Sequence, residues 1–234
     1  MTWAQTTVAA DGTHHVLAGQ PLYAARFQHV QKFHAPGLAP VVDPTGAFHV
    51  DVAGRPAYSA RFRQAWGFYD GRAAVEGEAG WLHIFPDGVP LSDHRYAWCG
   101  NFQGGLCTVR GKDGHYWHIT RAGQPAYAER YLYAGDFRDG AAVVRCPERG
   151  CSHVNPEGRL LHSRWFLNLD VFHKGYARAR DALGWFHVGP DGLPSYARRF
   201  AAVEPFYNGT ALCESMEGER MLVEPSGRTV HRLG

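Results

Sequence analysis

Phe68-Tyr-Asp-Gly71-Arg-Ala73-Ala-Val75, then Trp81-Leu-His83-Ile84, then Pro86-Asp-Gly88, Pro90 and Arg95-Tyr96 before Phe102: the rest of the chain repeats this stretch. Anchor phenylalanines stand at 33, 68, 102, 137, 172 and 206, each 34 or 35 residues from the last. A turn glycine recurs at 19, 54, 88, 123, 158, 192 and 227, as in Pro86-Asp-Gly88 and Pro190-Asp-Gly192. Turns of this kind need a residue at positive φ, which glycine adopts without steric cost. Two residues on come Pro21, Pro56, Pro90, Pro125 and Pro194, a residue tolerated where a strand starts. A second glycine follows each anchor, at 37, 71, 105, 140, 175 and 209. A small residue lies two beyond it: Ala39, Ala73, Cys107, Ala142, Ala177 and Ala211.

Between the glycines the runs are strand-length, as in 71–75, 81–85 and 90–96. They are rich in Val, Ile, Tyr, Phe and Trp. No stretch shows a helical period. Each unit is expected to hold three short antiparallel strands, with room for a fourth in the link 97–102. The expected units are about 1–32, 33–67, 68–101, 102–136, 137–171, 172–205 and 206–234, together one repeat domain over 1–234. Such a unit cannot bury both faces alone, so neighbours must supply each other's core. The expectation is an all-β fold of seven repeats closed into a propeller-like ring, which protects its sheet edges. An open β-solenoid is the alternative and would leave two edges to cap.

Composition narrows the function. With 234 residues, a net charge of +2 and 13% aromatic residues, the chain has no field that argues for nucleic acid. No apolar run approaches the roughly 18–20 residues of a membrane span, and the N-terminus reads as no signal peptide. Five scattered cysteines fit a reducing cytosol better than a disulfide framework, so a cytoplasmic location is expected.

The order Phe-x-x-Gly-x-Ala-x-Val, Gly-Trp-x-x-Ile/Val, x-x-x-Gly-x-Pro resembles the bacterial WG-repeat (KWG) family, best at Phe68–Val75 with Gly80-Trp81 and at Phe172–Ala177 with Gly184-Trp185. It departs from the family where Trp-Gly is commonly followed by an aromatic: here stand Trp81-Leu-His83, Trp117-His118 and Trp185-Phe-His187. The resemblance implies a repeat scaffold, often an interaction module, with no shared catalytic residues.

Two columns carry polar chemistry. His15, His49, His83, His118, His153 and His187 sit at equivalent places before Val or Ile; the last unit has Leu222. They are candidates to ligate a transition metal or hold an anion. The competing reading is structural: a histidine bonded to the neighbouring repeat. Repetition in every unit favours it, since a catalytic site needs unlike groups in unlike places. Arg26, Arg61, Arg95, Arg130 and Arg199 form the second column. They are expected mainly to bridge to the next unit or lie under an aromatic ring, and are candidates for carboxylate or phosphate.

The repeat breaks in three places. At 145–151, Cys146 and Cys151 stand in Cys-x4-Cys spacing, a weak metal signal beside His153 and more simply two incidental thiols on an exposed hairpin. At 214–220, Glu214, Glu217 and Glu219 mark an acidic turn. Around the fifth anchor, Asp170, His173 and Lys174 make a polar cluster, read as surface. Trp66, Trp98, Tyr116, Trp117 and Tyr133 are candidates to stack on a sugar or pack on a protein. There is no phosphate loop, nucleophile elbow or His-Glu-x-x-His. The expected function is a non-enzymatic module binding a protein or a carbohydrate-like ligand on one face, with no cofactor and no nucleic-acid or membrane partner. The alternative is a metal- or anion-binding protein or enzyme built on the histidines.

Overall fold

The structure, a computed structural model, describes residues 2–233. Its regular structure is strand throughout, apart from a short 3-10 turn at Thr2–Gln5. The chain divides into two compact units, residues 1–125 and 126–234, each taken by itself.

The first unit holds four antiparallel sheets. They run Thr7–Val8, His15–Leu17, Gln20–Pro21; His29–Val30, Ala39–Asp43, Gly46–Val50; Gln64–Tyr69, Arg72–Gly77, Gly80–Ile84; and Trp98–Cys99, Leu106–Arg110, Tyr116–Thr120. The second unit holds three: Tyr133–Ala134, Ala142–Cys146, Gly150–Val154; Asn168–Leu169, Ala177–Asp181, Gly184–Val188; and Ala202–Val203, Ala211–Glu214, Arg220–Val223, Thr229–Leu233.

Two expectations are corrected here. In the inner repeats the third run is no continuous strand, whereas Gln20–Pro21 in the first repeat and Thr229–Leu233 in the last are strands as expected. Pro90 pairs only with Ile84 and Tyr96 only with Trp81, and the residues between them leave the sheet. Val154 with Leu160 and Cys151 with Phe166 repeat that pattern, as do Val188 with Pro194 and Trp185 with Phe200. The link before each anchor does form a strand, mostly of two residues, and it belongs to the sheet that follows. Trp98–Cys99 pairs with Val109–Arg110, on the far side of the anchor Phe102. The sheets therefore begin about four residues before the boundaries drawn at the anchors.

The glycine after the anchor sits in a two-residue hairpin turn. In Asp70-Gly71, Asp139-Gly140, Lys174-Gly175 and Asn208-Gly209 both residues have positive φ, as a type I′ turn requires. The turn glycine of the next hairpin has a second duty. A Cβ on Gly158 would lie 2.4 Å from the Tyr127 ring, and one on Gly227 2.6 Å from Tyr196. In the first unit Gly54 meets Tyr23 and Gly88 meets Tyr58 in the same way. Four repeats thus lay a tyrosine ring on the backbone of the next, where only glycine leaves room; His162 takes that place against Gly192 and Leu91 beside Gly123.

Apolar clusters join neighbouring sheets inside each unit. Ala177, Phe186, Val188, Phe200, Phe206 and Met221 form one core in the second unit. Phe48 with Val30, Val41 and Val50, and Phe68 with Val75 and Ile84, form cores in the first.

These contacts separate two costs of filling a glycine. Gly175→Ala meets nothing within 4 Å and should cost about 1 kcal/mol for its left-handed backbone. Gly158→Ala adds the clash with Tyr127 and should cost roughly 1–3 kcal/mol more. Equal shifts of the two urea midpoints would show that Tyr127 does not hold Gly158.

Candidate functional site

The histidine column is buried. His15, His49, His118 and His153 are fully enclosed, and His83 and His187 nearly so. His15, His49, His83, His153 and His187 each lie on a hairpin strand with the ring turned to the next repeat. The Nε2 of His15 bonds the Gln31 carbonyl at 2.7 Å, His49 the Trp66 carbonyl at 2.8 Å and His83 the Gly100 carbonyl at 3.0 Å. In the second unit His153 bonds the Asp170 carbonyl at 2.8 Å and His187 the Glu204 carbonyl at 2.9 Å. These five rings also pack on the following anchor, as His49 on Phe68 at 4.5 Å, His153 on Phe172 at 4.2 Å and His187 on Phe206 at 4.1 Å between centroids.

A carbonyl only accepts, so Nε2 must carry the proton and Nδ1 must accept. The donor to Nδ1 is a tyrosine hydroxyl from the same repeat: Tyr23 to His15, Tyr58 to His49 and Tyr196 to His187, each at 2.5 Å. These are the rings that lie on the next turn glycine. Burial raises the tyrosine hydroxyls, Tyr23 to about 12, so they remain donors. Both nitrogens of His15, His49 and His187 are engaged, and metal ligation would have to break one bond in each. Among the described residues no three His, Cys, Asp or Glu side chains group to hold a metal ion.

Two repeats depart from the pattern. In the third, Ser92 stands where the tyrosine would be. His83 Nδ1 is buried without a partner, and the Cys107 sulfur lies 3.4 Å from Nε2. In the fifth, His162 replaces the tyrosine. Its Nε2 meets His153 Nδ1 at 3.2 Å and its Nδ1 meets the Arg164 carbonyl at 3.1 Å. The chain carbonyl–His153–His162–carbonyl needs three N–H protons, and two neutral rings supply two.

The arginine column is corrected. These side chains fold back onto carbonyls of their own repeats. Nη1 of Arg26 bonds the carbonyls of Tyr23, Ala24 and Ala25, and Nη1 of Arg61 those of Tyr58, Ser59 and Ala60. Arg95, Arg130 and Arg199 do likewise. The expected aromatic contact is present, also within the repeat: Arg61 lies 3.7 Å over Phe48 and Arg199 3.6 Å over Phe186. The reason is local. Where the chain leaves the sheet it exposes carbonyls in sequence, and one guanidinium nitrogen satisfies them.

Cys151 is a core residue, which corrects its reading as an incidental surface thiol; Cys146 on the hairpin is half-buried. Burial raises both thiols, which disfavours the thiolate a metal would need. The stretch 214–220 is a turn in which Ser215 Oγ accepts from the Glu217 and Glu219 amides, and Glu219 pairs with Arg232 at 2.9 Å.

The third break has more structure than its surface reading allowed. In the second unit Tyr133, Gly135, Arg138, Val143, Leu169, Asp170, Val171, His173, Pro205 and Tyr207 line a cleft of about 360 Å³. Arg138, His173 and Tyr207 each follow an anchor phenylalanine, so three successive repeats place unlike side chains at one equivalent position. His173 and Tyr207 touch at 4.9 Å between centroids. Lys174 lies 5.5 Å over the Tyr207 ring. Asp170 is held by Arg178 at 2.5 Å. His173 Nε2 is buried with no hydrogen-bond partner. Sequence reading singled out Asp170, His173 and Tyr133 and missed Arg138 and Tyr207. The signal was the column after the anchor, which runs His34, Tyr69, Gln103, Arg138, His173, Tyr207 and is not uniform. Of the other candidate aromatics, Trp66, Trp98 and Tyr133 are exposed, while Tyr116 and Trp117 are half-buried.

No family model matches the chain, and no curated protein matches it. Solved structures do. The chain is similar over 98% of its length to BamB from Moraxella catarrhalis, covering 84% of that chain at 10% identity with a TM-score of 0.50. It is similar over 98% of its length to a eukaryotic initiation factor, covering 72% of that chain at 10% identity with a TM-score of 0.58. Identity this low speaks for fold alone: an all-β, propeller-like array of seven small antiparallel sheets.

Two predictions follow from the histidine bonds. Tyr58→Phe removes the donor to His49 Nδ1 and should cost about 1–3 kcal/mol of stability; an unchanged thermal midpoint would show the bond to be idle. The second concerns pH. Burial lowers His49, His83 and His187 from 6.5 to about 4, against the opposing pull of the carbonyl bonds. Between those values the unfolded chain binds more protons than the folded one. Stability is therefore full above about pH 6.5 and falls towards pH 4, by about 1.4 kcal/mol per pH unit for each ring. Urea unfolding at pH 7.5, 6 and 5 reads this directly, and a midpoint constant across that range would contradict neutral, buried imidazoles.

Proposed function

We propose that this chain is a non-enzymatic binding module that holds a segment of another protein against the face of its second unit where the cleft opens. The cleft carries the reading: it gathers unlike polar, aromatic and aliphatic groups on a scaffold whose repeated polar groups are committed to internal bonds. Tyr133 and Tyr207 at its edge are 49% and 57% exposed. Exposed tyrosines supply large contact area at low entropic cost, as protein-recognition surfaces require. Kinship with WG-repeat proteins is part of the same proposal and supports a scaffold role. Free cysteines, four of the five buried, fit a reducing compartment.

The seven sheets are read as one domain closed into a ring of seven blades. Closure would protect the short edge strands without terminal caps. Small-angle scattering separates this disc from an extended solenoid by maximum dimension.

The functional reading is tested by screening the purified protein and its Tyr133→Ala/Tyr207→Ala double variant against a peptide library and a glycan array. Peptide binding that the double substitution weakens roughly tenfold or more is the expected result. Binding confined to glycans, or peptide binding indifferent to the substitutions, would remove the proposal.

A further inference from the structure

The geometry points to a more specific ligand for this cleft: the free carboxylate at the end of a peptide whose last residue is aliphatic. The inference rests on the protein-binding reading and adds what the cleft selects.

The charges decide the polar half. Asp170 is the carboxylate in the lining, and Arg178 neutralises it at 2.5 Å while also bonding the Val203 carbonyl at 3.1 Å and standing 3.8 Å from Glu204. Arg138, also in the lining, has no acidic partner among the described residues, and Lys174 adds a second cation beside Tyr207. A guanidinium presents paired donors that match a carboxylate. His173 is the second anchor. Its Nε2 is buried without a partner, a state that costs free energy until a ligand completes the bond. The ring is held by its contact with Tyr207 at 4.9 Å, and the backbone at His173 is fixed by the paired bonds with Tyr176. The nitrogen is thus positioned before anything binds.

The lining decides the apolar half. Val143 and Leu169 are buried, Val171 and Pro205 half-buried, and all four are aliphatic. A sugar acid would bring a carboxylate but also a girdle of hydroxyls, which aliphatic walls leave unpaired. An aliphatic side chain loses nothing there. At about 360 Å³ the cleft lies at the small end of ligand sites and suits a chain end better than a through-running segment.

The test uses the full chain and calorimetric titration with three probes: a hexapeptide ending in leucine with a free carboxylate, the same peptide amidated, and glucuronate. The free acid is expected to bind at least tenfold more tightly than the amide, with glucuronate weaker than both. Arg138→Gln should lose roughly tenfold to a hundredfold in affinity for the acid and little for the amide, as expected for one charge-assisted contact. Arg138 is exposed, so its substitution leaves the fold intact. His173→Phe keeps the ring packing and should also weaken the acid. Equal binding of acid and amide overturns this inference and leaves the binding-module reading standing. So does glucuronate bound more tightly than the peptide acid. No peptide binding in any form overturns both.

Discussion

The fold depends on a neutral imidazole held between two repeats. A short three-stranded sheet cannot bury both its faces, and an isolated one has little stability in water. Here five sheets place a histidine at such a seam, bonded forward to a carbonyl and stacked on the anchor phenylalanine that opens the next hairpin. The polar bond sets the register of one repeat on the next, and the ring contact supplies apolar burial. A leucine there would pack but leave the carbonyl two residues before the anchor unpaired. An unmade buried bond costs more than a made one contributes.

That requirement propagates through the repeat. A neutral histidine that donates through Nε2 needs a donor at Nδ1, and the tyrosine of the same repeat provides it. The tyrosine ring then has to lie somewhere, and it lies on the turn glycine of the next repeat. The chain must leave the sheet to bring the tyrosine inward, which bares carbonyls that the arginine gathers up. Histidine, tyrosine, glycine and arginine are one linked set. This explains why the columns keep step and why the third run leaves the sheet in the inner repeats.

Much of this was legible beforehand, and the omissions have physical causes. Repeat length, all-β class and turn glycines follow from spacing and from the positive φ that Asp70-Gly71 and its counterparts require. A structural reading of the histidines followed from their recurrence, but their partners did not. Tyr58 is nine residues from His49, and Trp66 seventeen, and no local rule joins them. The strand before the anchor, such as Trp98–Cys99, was too short to show a period and was assigned to the wrong side of a boundary. The arginines were expected mainly to bridge to the next unit; the backbone curl that offers them carbonyls of their own repeat is a tertiary outcome. Arg138 and Tyr207 escaped notice because a repeat is read by what every unit shares, and their column holds no single residue type.

That last point bears on where a repeat protein keeps its specificity. Positions that recur here are spent on holding neighbours together, and a side chain with every polar atom bonded internally has little left for a ligand. The column after the anchor is free of that duty. In the last five repeats its backbone flanks a tight hairpin turn with two successive positive-φ residues, so the side chain varies on a fixed frame. In both units the residues at this position touch across repeats with nearly the same geometry, His34 with Tyr69 at 4.7 Å and His173 with Tyr207 at 4.9 Å. The frame is common and the chemistry is local. The cleft arises where that column carries an arginine, a histidine with an open nitrogen and a tyrosine in succession, beside a carboxylate already neutralised by its own arginine. Recognition of this kind needs no departure from the repeat backbone, only three unlike residues at a place where the fold makes no demand on them.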